Sequence, residues 1–374
     1  MRILEVVFNL APGGAERFVV DLSNELANTD EVILMAINDD KIEPETRNFY
    51  KYDLSSKVTY KCLSQNNGFS IKKIWNIYKG FKALSPDIIH LHGGPMPYFC
   101  FLAIILLCKK TKFFQTIHSD LNNGYTNWLY RLLFGFLSGN GLYGIVALSE
   151  QNYKQVVSFY PKAKAVCIPN GRAPILATNQ LSIAKAELDN CRVTNDTILF
   201  VHVARFDPVK NQSLLIDSFN RFIEQGNDAA LVCIGSGYDT KEGITLQNNA
   251  CNRIYFLGSK KNISDYLLSS DVFCLSSDFE GLPITLIESS LAGLPAISTP
   301  VGGVASIIKN GVNGVISSDH SIDNYVECLQ YVYAHYSSLR ANAEKMRSDS
   351  EFTIEQCARK YRLLFRGEKL CCKV

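Results

Sequence analysis

Short β-branched runs alternate with longer segments of helical period along the whole chain, and this alternation most narrowly limits what the chain can fold into. In the first half, strands are expected at Arg2 to Phe8, Glu31 to Ile37, Val58 to Cys62, Ile88 to His92, Lys112 to Thr116 and Tyr143 to Ala147. In the second half they are expected at Thr197 to Val203, Ala230 to Ile234, Arg253 to Phe256, Val272 to Leu275, Ala296 to Thr299 and Gly314 to Ile316. Helices such as Glu16 to Ala27, Asn211 to Glu224, Ile263 to Ser269 and Ile284 to Ala292 fall between them. Consecutive parallel strands cannot be joined by a hairpin and need a crossover, which places helices on both sheet faces. The expected class is α/β, built from two Rossmann-like doubly wound sheets.

The two sets of strands are separated by Ile168 to Asn195, where Pro169-Asn170-Gly171 signals a turn and the next 20 or so residues are polar and weakly periodic. At 374 residues the chain is too long for one ordinary core. A first domain is expected over 1–172, a linker and second domain over 173–352, and a final helix over 353–374. That helix opens on Thr353-Ile354-Glu355-Gln356, a capping-box pattern, and repeats apolar residues at 354, 357, 358, 361, 364 and 365. Its apolar face must pack on the second domain or return to the first.

Thirty-eight basic against 36 acidic residues create no chain-wide field of the kind a nucleic-acid binder uses, so no nucleic acid is expected as a partner. A hydrophobic fraction of 47% excludes disorder. The longest apolar stretch, Met96 to Cys108, is shorter than the roughly 18–20 residues of a spanning helix and reads as a buried helix. The first residues lead into strand alternation with no small-residue cleavage site, which points to residence in the cytoplasm. The 12 cysteines include no Cys-x-x-Cys pair and mostly sit in apolar runs, as expected of reduced core residues.

In doubly wound folds, ligands bind beyond the carboxyl ends of strands, so the loops there carry the candidates. After the first strand, Gly13 and Gly14 open a helix: either the backbone approaches an anion, or the turn is simply tight. Arg205 and Lys210 follow a strand with a Pro-containing turn between them, and either converge on a diphosphate or form a solvated pair. Glu280 and Glu288 flank a helix start at which the N–H groups of Gly281, Leu282, Ile284 and Thr285 would face an anion. Carboxylates beside such a site suit a ligand bearing both a diphosphate and sugar hydroxyls, although Glu280 alone would also complement the helix dipole. Gly235-Ser236-Gly237 has Thr240 where a dinucleotide fingerprint needs its third glycine, so an NAD site is poorly supported.

His118 ends a strand and precedes a polar loop, a place from which it can meet a reacting sugar. His90 and His92 flank Leu91 and share one strand face; a metal pair is conceivable, but no third ligand is visible. No Asp-x-Asp occurs, and no metal site is assigned. Ile71 to Leu84 mixes Ile74, Trp75, Ile77, Tyr78 and Phe81 with Lys72, Lys73, Lys79 and Lys82. It reads either as a cationic helix resting peripherally on an anionic membrane or, the preferred reading, as a core-packing helix with a solvated lysine face.

In this order and spacing, the Gly13-Gly14-Ala15-Glu16 loop, Pro86 to His92, His118, Pro169-Asn170-Gly171, Arg205 with Lys210, and Glu280 with Glu288 resemble the retaining GT-B nucleotide-sugar glycosyltransferases of the family 4 (group 1) type, over nearly the whole chain. The resemblance implies two Rossmann-like domains facing a cleft, hinge closure between them, and a final helix returning to the first. It implies that Arg205 and Lys210 hold the donor diphosphate, that Glu288 holds the ribose, and that Glu280 lies near the transferred sugar. Gly14 would admit phosphates or acceptor, and His118 would contact the donor sugar. The implied donor is a nucleotide-diphosphate sugar, UDP-sugar before GDP-sugar, with no further cofactor. The implied acceptor is a glycan or lipid-linked glycan at the inner face of the membrane. A GT-B nucleotide-sugar epimerase and a non-catalytic nucleotide-sugar-binding protein are the alternatives. The chain departs from the family in Ala204 for a usual Gly, Ser289 for Ala, and Ser306 for a common Glu.

Overall fold

The computed structural model describes residues 1–118, 128–347 and 350–369. The chain divides into two compact units, one of Met1–Ala173 with Glu351–Val374 and one of Pro174–Ser350.

The first unit holds a seven-stranded sheet of β1 (Arg2–Val7), β2 (Glu31–Asn38), β3 (Thr59–Gln65), β4 (Ile88–His92), β5 (Lys112–Ile117), β6 (Gly144–Ala147) and β7 (Ala165–Cys167). Their order is β3-β2-β1-β4-β5-β6-β7, and every pair is parallel. The second unit holds β8 (Ile198–Val203), β9 (Ala229–Ile234), β10 (Ile254–Gly258), β11 (Val272–Leu275), β12 (Ala296–Ser298) and β13 (Gly314–Ile316), in the order β10-β9-β8-β11-β12-β13. In each sheet the strand order reverses beside the first strand, between β1 and β4 and again between β8 and β11. These are the switch points at which loops diverge and leave a crevice. The twelve expected strands are all present. β7 was not expected, because Ala165-Val166-Cys167 is too short to show a period.

Strand alternation gives the first sheet two chemically different faces. Leu4, Val6, Ile89, Leu91, Phe113 and Ile117 point into a core with Ile77, Phe81, Ile104 and Phe134 from the helices. The opposite face carries Glu5, His90, His92 and Thr116 and is covered by Phe18 of the first helix, Gly14–Leu26, and by Tyr361 and Phe365 of the last helix, Ile354–Arg366. Thr353 caps that last helix, and Ile354, Cys357, Ala358, Tyr361 and Phe365 are buried, so its apolar stripe returns to the first unit. Gly171 makes this return possible. A Cβ there would stand 2.5 Å from the Thr353 carbonyl and 2.9 Å from the Ile354 Cα.

Within the polar, weakly periodic stretch after Gly171, Leu181–Asp189 is a helix whose Glu187 takes Lys260 at 2.8 Å. Two expectations need correction. The apolar helix Met96–Leu107 is only partly buried, because Ile105 and Leu106 face outward while Cys100, Ala103 and Ile104 face the core. In the helix Ile71–Leu84, Ile74, Ile77 and Phe81 pack inward, but Lys73 does not join the solvated lysines. Its ammonium is buried and donates to Asn38 Oδ1 and the Asn66 carbonyl, each at 3.1 Å. The ten described cysteines are all unbridged, and six of them are buried. Cys371 and Cys372 lie outside the described residues.

Candidate active site

In the second unit, the loops leaving β8 and β11 meet at the switch point. Asp207 accepts from the Val209 N–H at 3.0 Å and starts the short turn Pro208–Lys210, which carries Lys210 toward the neighbouring loop. The Lys210 carbonyl accepts from Ser276 Oγ at 2.9 Å, and the Val209 carbonyl from the Asp278 N–H at 2.8 Å. Held this way, Lys210 Nζ lies 2.7 Å from Glu280 Oε1, and Ser277 Oγ donates to the same oxygen at 2.7 Å. Arg205 is exposed and bonds Asp207 Oδ2 through Nε and Nη2 at 3.1 and 2.8 Å. The structure thus gives the two cations separate carboxylates. The Arg205 pair is local and wet, worth at most about 1 kcal/mol, and is readily exchanged for a stronger anion.

Beyond Glu280 the chain enters the helix Ile284–Leu291, with Pro283 as its cap, one position before the expected first helical residue. Among the described residues, the N–H groups of Gly281, Ile284 and Thr285 donate to no protein acceptor, so the helix start presents donors together with its positive dipole end. Leu282 is buried in this turn, and Glu288 is buried one helical turn on. The Gly302-Gly303 loop braces the site from the β12 side. Gly303 N–H donates to the Gly281 carbonyl at 2.8 Å, and a Cβ on Gly302, at φ +50°, would lie 2.2 Å from the Glu280 carbonyl. Ser306 donates to the Gly303 carbonyl at 2.6 Å and so serves its own turn. Thr240, in place of a third glycine, caps the helix Lys241–Asn248 by accepting from the Gly243 N–H.

In the first unit, the loop after β1 lies beside the end of β4. Gly13 is extended at φ −168°, a conformation any residue adopts, and a Cβ on it would meet only the flexible Glu16 carboxylate. Gly14 is the first residue of the first helix.

His118 follows β5, and the polar loop after it lies outside the described residues. Its Nε2 is 3.1 Å from His92 Nδ1, and His92 Nε2 is 2.6 Å from Glu5 Oε2. His90 Nδ1 lies 2.9 Å from that same oxygen, while His90 Nε2 meets Thr116 Oγ1 at 2.8 Å and Thr116 meets the Tyr361 hydroxyl at 2.8 Å. Glu5 pairs directly with His90 across β1 and β4, and His92 with Thr116 across β4 and β5, so parallel register assembles the cluster. Burial works against the Glu5 charge, but the His90 and His92 rings hold its carboxyl down to about 2. Burial and the neighbouring His90 push His92 down to about 4, and burial with the same neighbours holds His118 well below the usual range.

Sequence reasoning missed Glu5. Its signal was a single acid inside the apolar run Ile3-Leu4-Glu5-Val6-Val7. Glu5, His90 and His92 are all buried and place donor atoms within 4.8 Å of one another, as a metal site would. The 2.6 Å separation of His92 Nε2 and Glu5 Oε2 is that of a shared proton, and His90 Nδ1 lies 2.9 Å from the same oxygen. A tetrahedral ion with bonds of ~2.0–2.1 Å spreads its donors to ~3.3 Å.

Two family models match the chain, one in each unit: Glycosyltransferase Family 4 over residues 12–173 and Glycosyl transferases group 1 over residues 187–348. An uncharacterized glycosyltransferase of Methanocaldococcus jannaschii is 29% identical over 274 residues, which are 70% of this chain and 65% of that protein. The UDP-Gal:alpha-D-GlcNAc-diphosphoundecaprenol alpha-1,3-galactosyltransferase of Escherichia coli is 24% identical over 271 residues, 69% of either chain. Anabaena HepE, solved in complex with UDP and glucose, shares the fold at a TM-score of 0.79 and 15% identity, over 98% of this chain and 100% of its own.

Proposed function

We propose that this GT-B chain, matched in its two units by the Glycosyltransferase Family 4 and Glycosyl transferases group 1 models, is a group 1 glycosyltransferase that moves a sugar from a nucleotide-diphosphate donor, UDP before GDP, to a glycan or lipid-linked glycan, retaining the anomeric configuration without a metal. The observation that carries this reading is the Lys210–Glu280 pair beside a helix start at which, among the described residues, the Gly281, Ile284 and Thr285 N–H groups have no protein acceptor. Lys210 has three donors, so it can keep Glu280 and still bond a phosphate oxygen. Arg205 adds a planar fork once it releases Asp207. Together with the helix start, these cations stabilise the charge that grows on the departing nucleoside diphosphate. Glu288 is assigned to the ribose and Glu280 to hydroxyls of the transferred sugar. Gly13, Gly14 and His118 are assigned to the sugar and acceptor.

The acceptor hydroxyl attacks C1 from the side the diphosphate leaves. The C1–O bond to phosphate breaks, the new C1–O bond forms, and a departing phosphate oxygen takes the hydroxyl proton. The products are the nucleoside diphosphate and the glycoside, and no protein nucleophile is required. The E. coli relative, named for UDP-Gal and a diphosphoundecaprenol-linked acceptor, supports this choice of donor and acceptor.

A lipid-linked acceptor brings the protein to a membrane face, and the proposed residence is cytoplasmic at the inner leaflet. Among the described residues, no helix is long and apolar enough to cross. Peripheral contact is supported by Ile71 and Trp75, exposed on a helix that also presents Lys72, Lys79 and Lys82, with Lys79 over the Trp75 ring.

The test is transfer from UDP-hexoses to a polyprenyl-diphosphate sugar in the presence of chelator, with product anomers assigned by NMR coupling. A glycoside of retained configuration is expected. An altered nucleotide sugar formed without acceptor would indicate an epimerase, and donor binding without turnover a non-catalytic protein.

A further inference from the structure

Glu5, His92 and His118 form a line of groups joined end to end, and the protons along it can be counted. A carboxylate cannot donate, so the 2.6 Å contact with Glu5 puts a proton on His92 Nε2. In a neutral His92 ring, Nδ1 is then a lone pair. The proton in the 3.1 Å contact between the rings therefore belongs to His118 Nε2. A neutral His118 protonated on Nε2 has Nδ1 as an acceptor that can donate nothing.

The surroundings favour this arrangement over one with a charged His92 or His118 ring. Phe18 stands 6.2 Å from the His92 ring and 5.7 Å from the His118 ring, an apolar cover beneath which an imidazolium loses hydration. Glu5 Oε2 is bonded by His92 Nε2 at 2.6 Å and lies 2.9 Å from His90 Nδ1, a setting of ring nitrogens that favours the ionised, accepting carboxylate. Among the described residues, the Thr116 hydroxyl is engaged with His90 Nε2 and the Tyr361 hydroxyl and not with the His92–His118 contact.

We propose that Glu5 is a positioning residue for His118: acting through His92, it fixes the Nε2-protonated ring, so that His118 Nδ1 accepts a hydrogen bond from a hydroxyl of the bound sugar. His118 is then an acceptor that orients a sugar hydroxyl, and it is not a proton donor to the leaving group. The identity of that hydroxyl rests on the glycosyltransferase reading. The tautomer does not.

The experiment is two-bond 1H–15N correlation on the full chain labelled with 15N-histidine, at neutral pH, with His118 assigned by its loss in His118→Gln. His118 is expected to be protonated on Nε2 and unprotonated on Nδ1. Glu5→Leu removes the acceptor and is expected to mix the two His118 tautomers and lower kcat at least about tenfold, with donor KM changed less than about threefold. Glu5→Gln, whose carbonyl oxygen still accepts, is expected to keep the His118 pattern and most of kcat. His92→Phe, which removes the intermediate ring, gives the same mixing if Glu5→Leu does not fold. A wild-type His118 protonated on Nδ1 or on both nitrogens overturns the proposal. So does a pattern unmoved in both Glu5→Leu and His92→Phe. If the tautomer is as expected and no donor yields a glycoside, the function assigned above fails and the positioning role of Glu5 stands.

Discussion

Lys210 Nζ lies 2.7 Å from Glu280 Oε1 and ties the loop after β8 to the loop after β11, residues 70 positions apart in sequence. The ion pair is part-buried, and its carboxylate oxygen also takes the Ser277 hydroxyl. A cation so fixed is oriented before any ligand arrives, which lowers the ordering cost of binding.

Lys210→Ala is expected to weaken nucleoside-diphosphate binding by roughly 1.5–3 kcal/mol, as for a charge-assisted contact. Arg205→Ala should cost a similar amount, because its present partner Asp207 holds it only at the surface. Calorimetric titration checks both, and an unchanged affinity removes the residue from the site.

Gly302→Ala should damage the same site without touching a charge. The new Cβ would stand 2.2 Å from the Glu280 carbonyl and 2.5 Å from the Gly281 carbonyl, and φ +50° disfavours any side chain. Relief requires the Glu280–Gly281 turn to shift. The expected result is a folded protein with unchanged circular dichroism and kcat/KM reduced by roughly tenfold or more, since displacements of about 1 Å carry costs of this order and above.

Tyr361→Ala is expected to destabilise the first unit by about 3–5 kcal/mol, the range for deleting a buried aromatic side chain. Tyr361→Phe should cost only about 1 kcal/mol, for the lost bond to Thr116. Denaturant melts separate the two, and equal losses would mean that the hydroxyl network outweighs packing.

Acid should destabilise both units through buried histidines. His92 in the first unit and His202 in the second are buried with values lowered from 6.5 to about 4, chiefly by burial. Between those values the unfolded chain takes up protons that the native rings refuse, so stability falls as pH falls from about 6.5 to about 4. Each ring should cost about 2 kcal/mol between pH 7 and pH 5. Urea midpoints at the two pH values test this, and midpoints that do not fall would show that the rings are charged in the native state.

Much of this fold was legible because parallel strands buried on both faces write themselves as β-branched runs. Glu31 to Ile37 was expected and Glu31–Asn38 is found; Val272–Leu275 is found as expected. Loop placement was equally readable, since Arg205 and Lys210 follow β8 and Glu280 follows β11 by position alone. Partner choice was not. That Lys210 takes Glu280 while Arg205 takes Asp207 depends on how two distant loops are laced by Ser276 and Asp278. Glu5 was unreadable for a related reason: cross-strand register, not spacing along the chain, sets it opposite His90. Lys73 looked like its exposed lysine neighbours until Asn38 and the Asn66 carbonyl were found to receive it.

The most direct test of the central claim is a thermal-shift screen of the purified chain and its Lys210→Ala variant against UDP, GDP, ADP, CMP and dTDP, with and without their sugars, in chelator. A ligand at 100 times its dissociation constant adds about 2.7 kcal/mol of stability, which is readily seen. One nucleoside diphosphate, UDP first, is expected to stabilise the wild-type chain, with the shift reduced in the variant. No shift with any of them, or an equal shift in the variant, would contradict a donor site built on Lys210 and Glu280.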